Sequence, residues 1–574
     1  MKIKTALLGA VATAVLAPMA FADGHMGERG RDGEVKIIYW QAVSILNPYL
    51  SGGTKDIEAA SLVLEPLARY DETGAMVPYL ATEIPTVGNG GVSDDLTSIT
   101  WSIKPDVMWS DGTDVTANDV VFTWQYCTAE GGGCAQGAKF GNVANVEALD
   151  DKTVKVTFTG PAPNPYQAFV GHESPIIQAA QFAECLGPRA PECTDANFGP
   201  IGTGPFVVTD FRVNDVVQFA ANENYRDPMK PAFATVTFKG GGDAASAGRS
   251  VMETGEFDYA WNMQLAPDVI ATMAEGGMGV PVSAFGTLVE RIEVNLTDPS
   301  PSQPEGVRST VAAPHPFLTD PAVREALSIA IDRDLLVEVG YGQAGRPTCN
   351  LVPAPALYAS DNTACLTQDI ARANQLLDDA GYMDTNGDGV REMADGTPLA
   401  LLYQTSTNAV RQDFQALIKE WWSEIGIDTE LRNIDAGVYF GGDPGSPDTF
   451  QRFYADVEMY ANNFPGTDPQ AYLGAYFCDK IPSPDTQWQG ENINRFCDPA
   501  YEEAWTALSQ TADLEERGRL GRMLNDMLTK DSNVIIPLVD RGRVSAHSVT
   551  LGGVVLNTWD SELWNIADWY RISE

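Results

Sequence analysis

Apolar and polar positions along this chain follow two periods, and the period changes repeatedly. Alternation by two predicts strands, and apolar spacing of three to four predicts helices. The segment "EVKIIYWQAVSILNPYL" starts with strand-like alternation and ends in an Asn47-Pro48 turn. In "DIEAASLVLEPLARYD" the spacing is helical until Pro66 bends or ends it. "SITWSIKPDVMWSDG" reads as a strand, a proline-bearing turn and an Asp-Gly turn. "TANDVVFTWQYC" predicts a helix with Thr116 as N-cap and Asp119 at the third helical position, and "KTVKVTFTG" alternates as a strand.

The second half continues in the same manner. "GPFVVTDFRVNDVVQFAANENY" predicts a strand pair and "FATVTFKG" another strand. "SAGRSVMETGEFDYAW" reads as a helix stopped by Gly255 before a short strand. "PAVREALSIAIDRDLLVEVGYG" predicts one long amphipathic helix entered through Asp320-Pro321. "VRQDFQALIKEWWSEIGIDTELRNI" reads as helix, glycine stop, strand. Helices and strands alternate without a repeat, so the class is mixed α/β and not a solenoid.

Composition adds scale. A chain of 574 residues exceeds one ordinary core, so two or more domains are expected, and 12 Trp, 19 Tyr and 22 Phe supply their interiors. Residues 1–22, "MKIKTALLGAVATAVLAPMAFA", have the layout of a secretory signal peptide cleaved after Ala22, which predicts an exported protein. Residues 23–34 read as a flexible leader, and no other stretch is long and apolar enough to span a bilayer. Export makes the eight cysteines readable as disulfides between near neighbours. Spacing does not fix the pairing, and proximity alone suggests Cys127 with Cys134, Cys185 with Cys193, Cys349 with Cys365, and Cys478 with Cys497. A formal charge of −41 argues against nucleic-acid binding, because phosphates would be repelled.

Catalytic signatures do not appear. His172-Glu173 lacks the second His that a zinc helix needs at Ile176, and neither a G-x-S-x-G elbow nor a P-loop occurs. A secreted hydrolase using a carboxylate pair among the 78 Asp and Glu stays open on spacing alone.

Four collinear segments carry a resemblance: "WSIKPDVMWSDGTDVTANDVVFTW", "GTGPFVVTDFRVNDVVQFAANENYR", "DPAVREALSIAIDRDLLVEVGYGQAGRP" and "IGIDTELRNID". They resemble the solute-binding proteins of ABC importers, family 5, the relatives of oligopeptide- and dipeptide-binding proteins. The resemblance implies a two-lobe clamshell of the periplasmic-binding-protein type II kind, with mixed sheets and an additional domain. It implies a discontinuous domain I at 35–70, 203–290 and 533–574, domain II at 71–202 and domain III at 291–532. Gly202, Gly204 and Pro205 fall where the chain would cross back into domain I. The implied activity is capture, not catalysis. A monomer would enclose a small ligand, di- or oligopeptide first and opine or oligosaccharide as the alternative, and pass it to a membrane permease with ATPase subunits behind it. No cofactor is required.

Site residues follow from the same alignment. The stretch "MYANNFPGTDPQAYL", residues 459–473, offers Tyr460, Asn462, Asn463 and Asp468 to a ligand. Dipeptide-binding relatives place an acid for the ligand ammonium where this chain has Pro465, so either Asp468 supplies that charge or the ligand differs. Capping of a turn before Pro469 is the competing reading of Asp468. Arg411 matches a carboxylate-gripping Arg, against the reading of an exposed helix-start residue. Trp40, Gln41, Trp261, Asn262 and Gln264 match cleft edges, with plain core packing as the alternative for the two Trp. Glu290-Arg291, at the domain I/III hinge, either touch ligand or form a structural ion pair. Finally, Asp384, Asn386, Asp388, Gly389 and Asp395 fall at positions 1, 3, 5, 6 and 12 of a calcium loop. Position 12 is Asp instead of Glu, and a strand-like "PLALLYQT" follows, so a structural Ca²⁺ competes with an empty turn.

Overall fold

The predicted strands gather into three main sheets. In the computed structural model, residues 28–443 and 445–572 are described; the expected signal peptide and the first part of the leader lie outside them. A seven-stranded sheet runs in spatial order Gly279–Ala284, Arg543–Ser548, Tyr259–Trp261, Glu34–Tyr39, Thr235–Gly240, Val216–Ala221 and Phe206–Arg212. Glu34–Tyr39 pairs in parallel with both neighbours while the flanking strands pair antiparallel, so the sheet is mixed. A six-stranded sheet contains Gly345–Pro347, Ile535–Arg541, Val289–Val294, Val457–Asn462, Ala400–Ser406 and Asp428–Ile434. The third sheet, Ser98–Ser102, Thr153–Phe158 and Val143–Ala148, belongs to a middle domain. Thr153–Phe158 buries every second residue, as its alternation predicts.

The large sheets are joined by two short hinges. The chain leaves Gly279–Ala284 and enters Val289–Val294 through residues 285–288, then returns from Ile535–Arg541 to Arg543–Ser548 through Gly542 alone. Ile535–Arg541 therefore lies in the third domain's sheet, paired with Val289–Val294, and the expected boundary at 533 moves to 542. The boundary expected at 70 also moves. Leu62 and Val63 pack in the core of the first domain, whereas Leu64, Leu67 and Ala68 pack in that of the middle domain. The helix expected to reach Pro66 spans only Thr54–Ala60, and the crossing follows its end.

The return crossing lies beside the outward one. A Cβ on Gly202 would fall 1.9 Å from the Val63 carbonyl oxygen, and one on Gly204 would fall 2.5 Å from that of Leu62. No side chain fits there, which is why the crossover is built from glycine.

Local signals are realised with two corrections. Asp119 accepts from Thr116 N at 2.8 Å, and Asp320 accepts from Ala322 N at 2.9 Å ahead of the helix Pro321–Ile329. The long helix predicted from 321 onward is broken: Asp332 caps a second helix, Arg333–Gly340, by accepting from Leu335 N at 3.0 Å. Buried Arg333 locks the break by donating to the carbonyls of Pro537, Ser328 and Cys365. The described end of the leader is tethered, not flexible. Arg29 donates to four carbonyls, those of Glu223, Tyr225, Asp227 and Lys230, at 2.5–2.9 Å.

All four neighbour cystines form: Cys127–Cys134, Cys185–Cys193, Cys349–Cys365 and Cys478–Cys497. The double variant Cys349→Ser/Cys365→Ser opens a loop of sequence separation 16 and is expected to cost about 3 kcal/mol by urea denaturation. Neither cysteine borders the cavity between the domains, so the cost falls on the fold of the third domain alone.

Candidate functional site

A cavity of about 920 Å³ opens between the domains, at the upper end of the range typical of small-molecule sites. The first domain contributes Ser44, Ile45 and residues 50–52; the middle domain contributes residues 131–139, Tyr166 and Glu173. The third domain supplies Arg291, Tyr460, residues 462–465, Tyr472, Tyr476, Lys480 and Glu491. The stretch 459–473 is thus a cavity wall. The strand Val457–Asn462 delivers Tyr460 and Asn462 to its lining, Asn463 follows directly, and the turn after it leads into the short helix Gln470–Leu473. Phe450 meets Tyr460 edge to face at 5.5 Å and props its ring.

Arg291 is the central cation. It pairs across the ladder with Tyr460, and its guanidinium lies over the Tyr460 ring at 5.1 Å and the Tyr472 ring at 5.8 Å. Glu293, two residues on and so on the same strand face, accepts from Nε at 2.5 Å, while the Tyr472 hydroxyl accepts from Nη1 at 2.5 Å. Nη2 has no hydrogen-bond partner among the described residues. Burial opposes the charge on Arg291, but Glu293 and the surrounding tyrosines hold its pKa well above the ordinary value. The pair Arg291–Glu293 therefore presents a fixed guanidinium edge to the cavity.

Glu290, on the alternate face, builds the hinge. Arg411 Nε donates to Glu290 Oε1 at 2.6 Å, Tyr341 donates to Oε2 at 2.9 Å, and Arg541 approaches to 3.5 Å. Burial pushes the Glu290 carboxyl up, yet Arg411 and Arg541 hold it below its ordinary value. Gln264 donates to Glu290 at 3.0 Å and accepts from Asn408 at 3.1 Å, and Asn262 accepts from Arg541. These contacts clamp the first domain to the third. Arg411, expected to grip a ligand carboxylate, is buried and paired with Glu290 instead. Gln264 is likewise an internal bridge.

The aromatic expectations divide. Trp40 donates from Nε1 to the Asn262 carbonyl at 2.8 Å and packs in the core, bordering no described cavity. Trp261 stacks on Tyr39 at 4.5 Å and 5°. With Gln41, Asn262 and Arg411 it borders a smaller cavity of about 80 Å³, which shares Tyr460, Asn462 and Asn463 with the large one.

Asp468 borders the large cavity but is already satisfied. Arg517 donates to it at 2.6 Å, Tyr358 at 2.8 Å, and the Gln470 backbone at 3.0 Å, so it caps the turn after Pro465 and anchors it to Arg517. Residues that sequence reasoning missed come from two cystine-closed loops. "GGGCAQG", beside Cys127–Cys134, faces the segment inside Cys478–Cys497: a Cβ on Gly133 would lie 3.1 Å from Gln489 Cγ. Lys139, paired with Glu173 at 2.9 Å, and Lys480 with Glu491 line the cavity beside this contact. Glycine runs tied to cysteines were the available signal.

In the 384–395 loop, Asp384, Asp388 and Glu392 place oxygens within 4.8 Å of one another. Asn386 points its amide nitrogen at Asp388 and Glu392, and Asp395 accepts from Thr397 N at 2.9 Å within its own turn. Asp395 is therefore absent from the cluster, and Glu392, at position 9, takes part instead. The backbone of Gly387 and Gly389 donates to Asp384 and keeps its carboxyl below the ordinary range. Bridges Met383↔Glu392 and Glu392↔Pro398 make the segment a hairpin, with no helix after it.

Comparison with known proteins places this architecture. Glutathione-binding protein GsiB of Escherichia coli (strain K12) is 24% identical over 548 residues, covering 95% of this chain and 94% of the relative. Among solved structures, the oligopeptide-binding protein AppA from Bacillus subtilis, in complex with a nonapeptide, superposes with a TM-score of 0.79 at 19% identity, covering 95% of this chain and all of that one. The binding protein AgaA from A. tumefaciens R10, in complex with agropinic acid, gives 0.74 at 19% identity, covering 94% and 99%. The fold is that of the type II periplasmic-binding proteins with an additional domain. Residues 75–482 match the family model for bacterial extracellular solute-binding proteins, family 5, and the chain belongs to that family.

Proposed function

We propose that this chain is the extracytoplasmic receptor of an ABC importer, enclosing a short peptide in the 920 Å³ cavity and releasing it unaltered to a membrane permease. The observation that carries the reading is Arg291, held by Glu293 and Tyr472 between two aromatic rings, with Nη2 left for a ligand carboxylate. Binding energy comes from closing the lobes, which removes tyrosine surface from water and pairs ligand charge in a partly dry site. Peptide is favoured over other solutes because the relatives include glutathione-binding proteins and an oligopeptide-binding protein. The agropinic acid complex keeps amino-acid conjugates of the opine type as a second reading.

The test is a thermal-shift series at fixed protein concentration with glutathione, tri- to pentapeptides and opines, followed by mass spectrometry of the recovered solute. A peptide at 100 times its Kd should stabilise the fold by about 2.7 kcal/mol and return with unchanged mass. Stabilisation by opines alone would overturn the peptide assignment, and a cleaved product would overturn the receptor role.

A further inference from the structure

We infer that Glu491 is the counter-charge for the ammonium group of the bound solute, so that the cavity reads a zwitterion between Glu491 and Arg291. The inference rests on the receptor reading above. A cation brought into a partly dry cavity needs a compensating carboxylate. Two cavity acids are already occupied: Asp468 by Arg517 at 2.6 Å, and Glu173 by Lys139 at 2.9 Å. Asp443, Asp479 and Asp485 are exposed to bulk water, where a charge pair has little value. Glu491 differs from all of these. It is half-buried, lines the cavity, and its carboxylate makes no hydrogen bond or ion pair with any described residue.

The backbone around it is rigid. Cys478–Cys497 closes the segment, and buried Asn492 donates to the carbonyls of Phe477 at 2.9 Å and Phe496 at 2.6 Å. Asn492 N also bonds the Lys480 carbonyl at 3.1 Å. An unpaired acid on a pre-organised backbone suits a ligand more than it suits the fold. The charged groups that face it are Lys480 and Lys139, which favour its ionised form, and Glu173 and Asp479, which oppose it. Burial outweighs them and pushes the Glu491 carboxyl up to about 7. A bound ammonium would restore the ionised form.

Isothermal titration with glutathione and trialanine, each free and N-acetylated, tests this on the full mature chain. For the wild type, acetylation should weaken binding at least about tenfold, the scale of one charge-assisted pair. Glu491→Gln should lose as much with the free amine and nothing further with the acetylated probe. Because the empty site must give up a proton, wild-type affinity for the free amine should rise about fivefold from pH 6 to pH 7, and the Gln variant should be flat. Equal losses for both probe forms, or an unchanged pH profile in Glu491→Gln, would overturn the assignment while leaving the receptor reading intact. If no peptide probe binds the wild type, the peptide reading itself falls, and this inference with it.

Discussion

Replacing Glu290 by Gln is expected to destabilise the protein by about 3–5 kcal/mol, the cost of leaving buried guanidinium groups without their carboxylate. Arg411 and Arg541 both approach Glu290, at 2.6 and 3.5 Å, and no other carboxylate pairs with either among the described residues. The substitution keeps shape and removes charge, so the effect reports electrostatics and not a cavity. Urea denaturation at neutral pH measures it. The folded carboxyl is held below its ordinary value, so its contribution is complete above the unfolded pKa of about 4.5 and fades as pH falls through the lower folded value. The wild type should lose stability in that acid window, and Glu290→Gln should lose correspondingly less there. Because the network joins Gln264 and Asn262 of the first domain to Arg411 of the third, the variant should also loosen the hinge. Faster amide exchange at residues 285–288 would register that; unchanged stability would show the network to be ornamental.

The second large effect concerns the ligand. Arg291→Lys keeps a positive charge but loses the planar fork, so Glu293 and a ligand carboxylate can no longer be held at once. Affinity for a peptide with a free C-terminus should fall by about 2 kcal/mol, roughly thirtyfold. A C-terminally amidated peptide should bind the wild type weakly and be indifferent to the substitution. Titration of both peptides against both proteins completes a double-mutant cycle. A coupling near zero would remove Arg291 from the site, whatever its part in the fold.

These residues also mark where sequence reasoning reaches. The caps at Thr116 and Asp320, the alternation of Thr153–Phe158 and the near-neighbour cystines were legible because each depends on residues near in sequence. The stretch 459–473 was legible as a cavity wall through resemblance. Arg411 was not, since its partner Glu290 lies 121 positions away and a charge pair leaves no local trace. Asp468 caps its turn, as one of its two readings expected, but its partner Arg517, 49 positions off, left no local trace either. Trp40 could not be told from a ligand platform, because an aromatic ring at a strand end looks identical in a core and in a cleft.

By itself the sequence determined the class of secondary structure and suggested near-neighbour cystines, while the crossover glycines were placed through the family resemblance. Periodicity, backbone sterics and short loop closure act within a few residues, or at positions only glycine can fill. Tertiary structure alone decided which charges cancel. Val289–Val294 carries Glu290, Arg291 and Glu293 in a fully buried strand, and its alternation sends Glu290 to the hinge and Arg291 to the cavity. Burial turns these neighbours into separate devices, because a charge out of water must find its partner, and only the assembled lobes supply one.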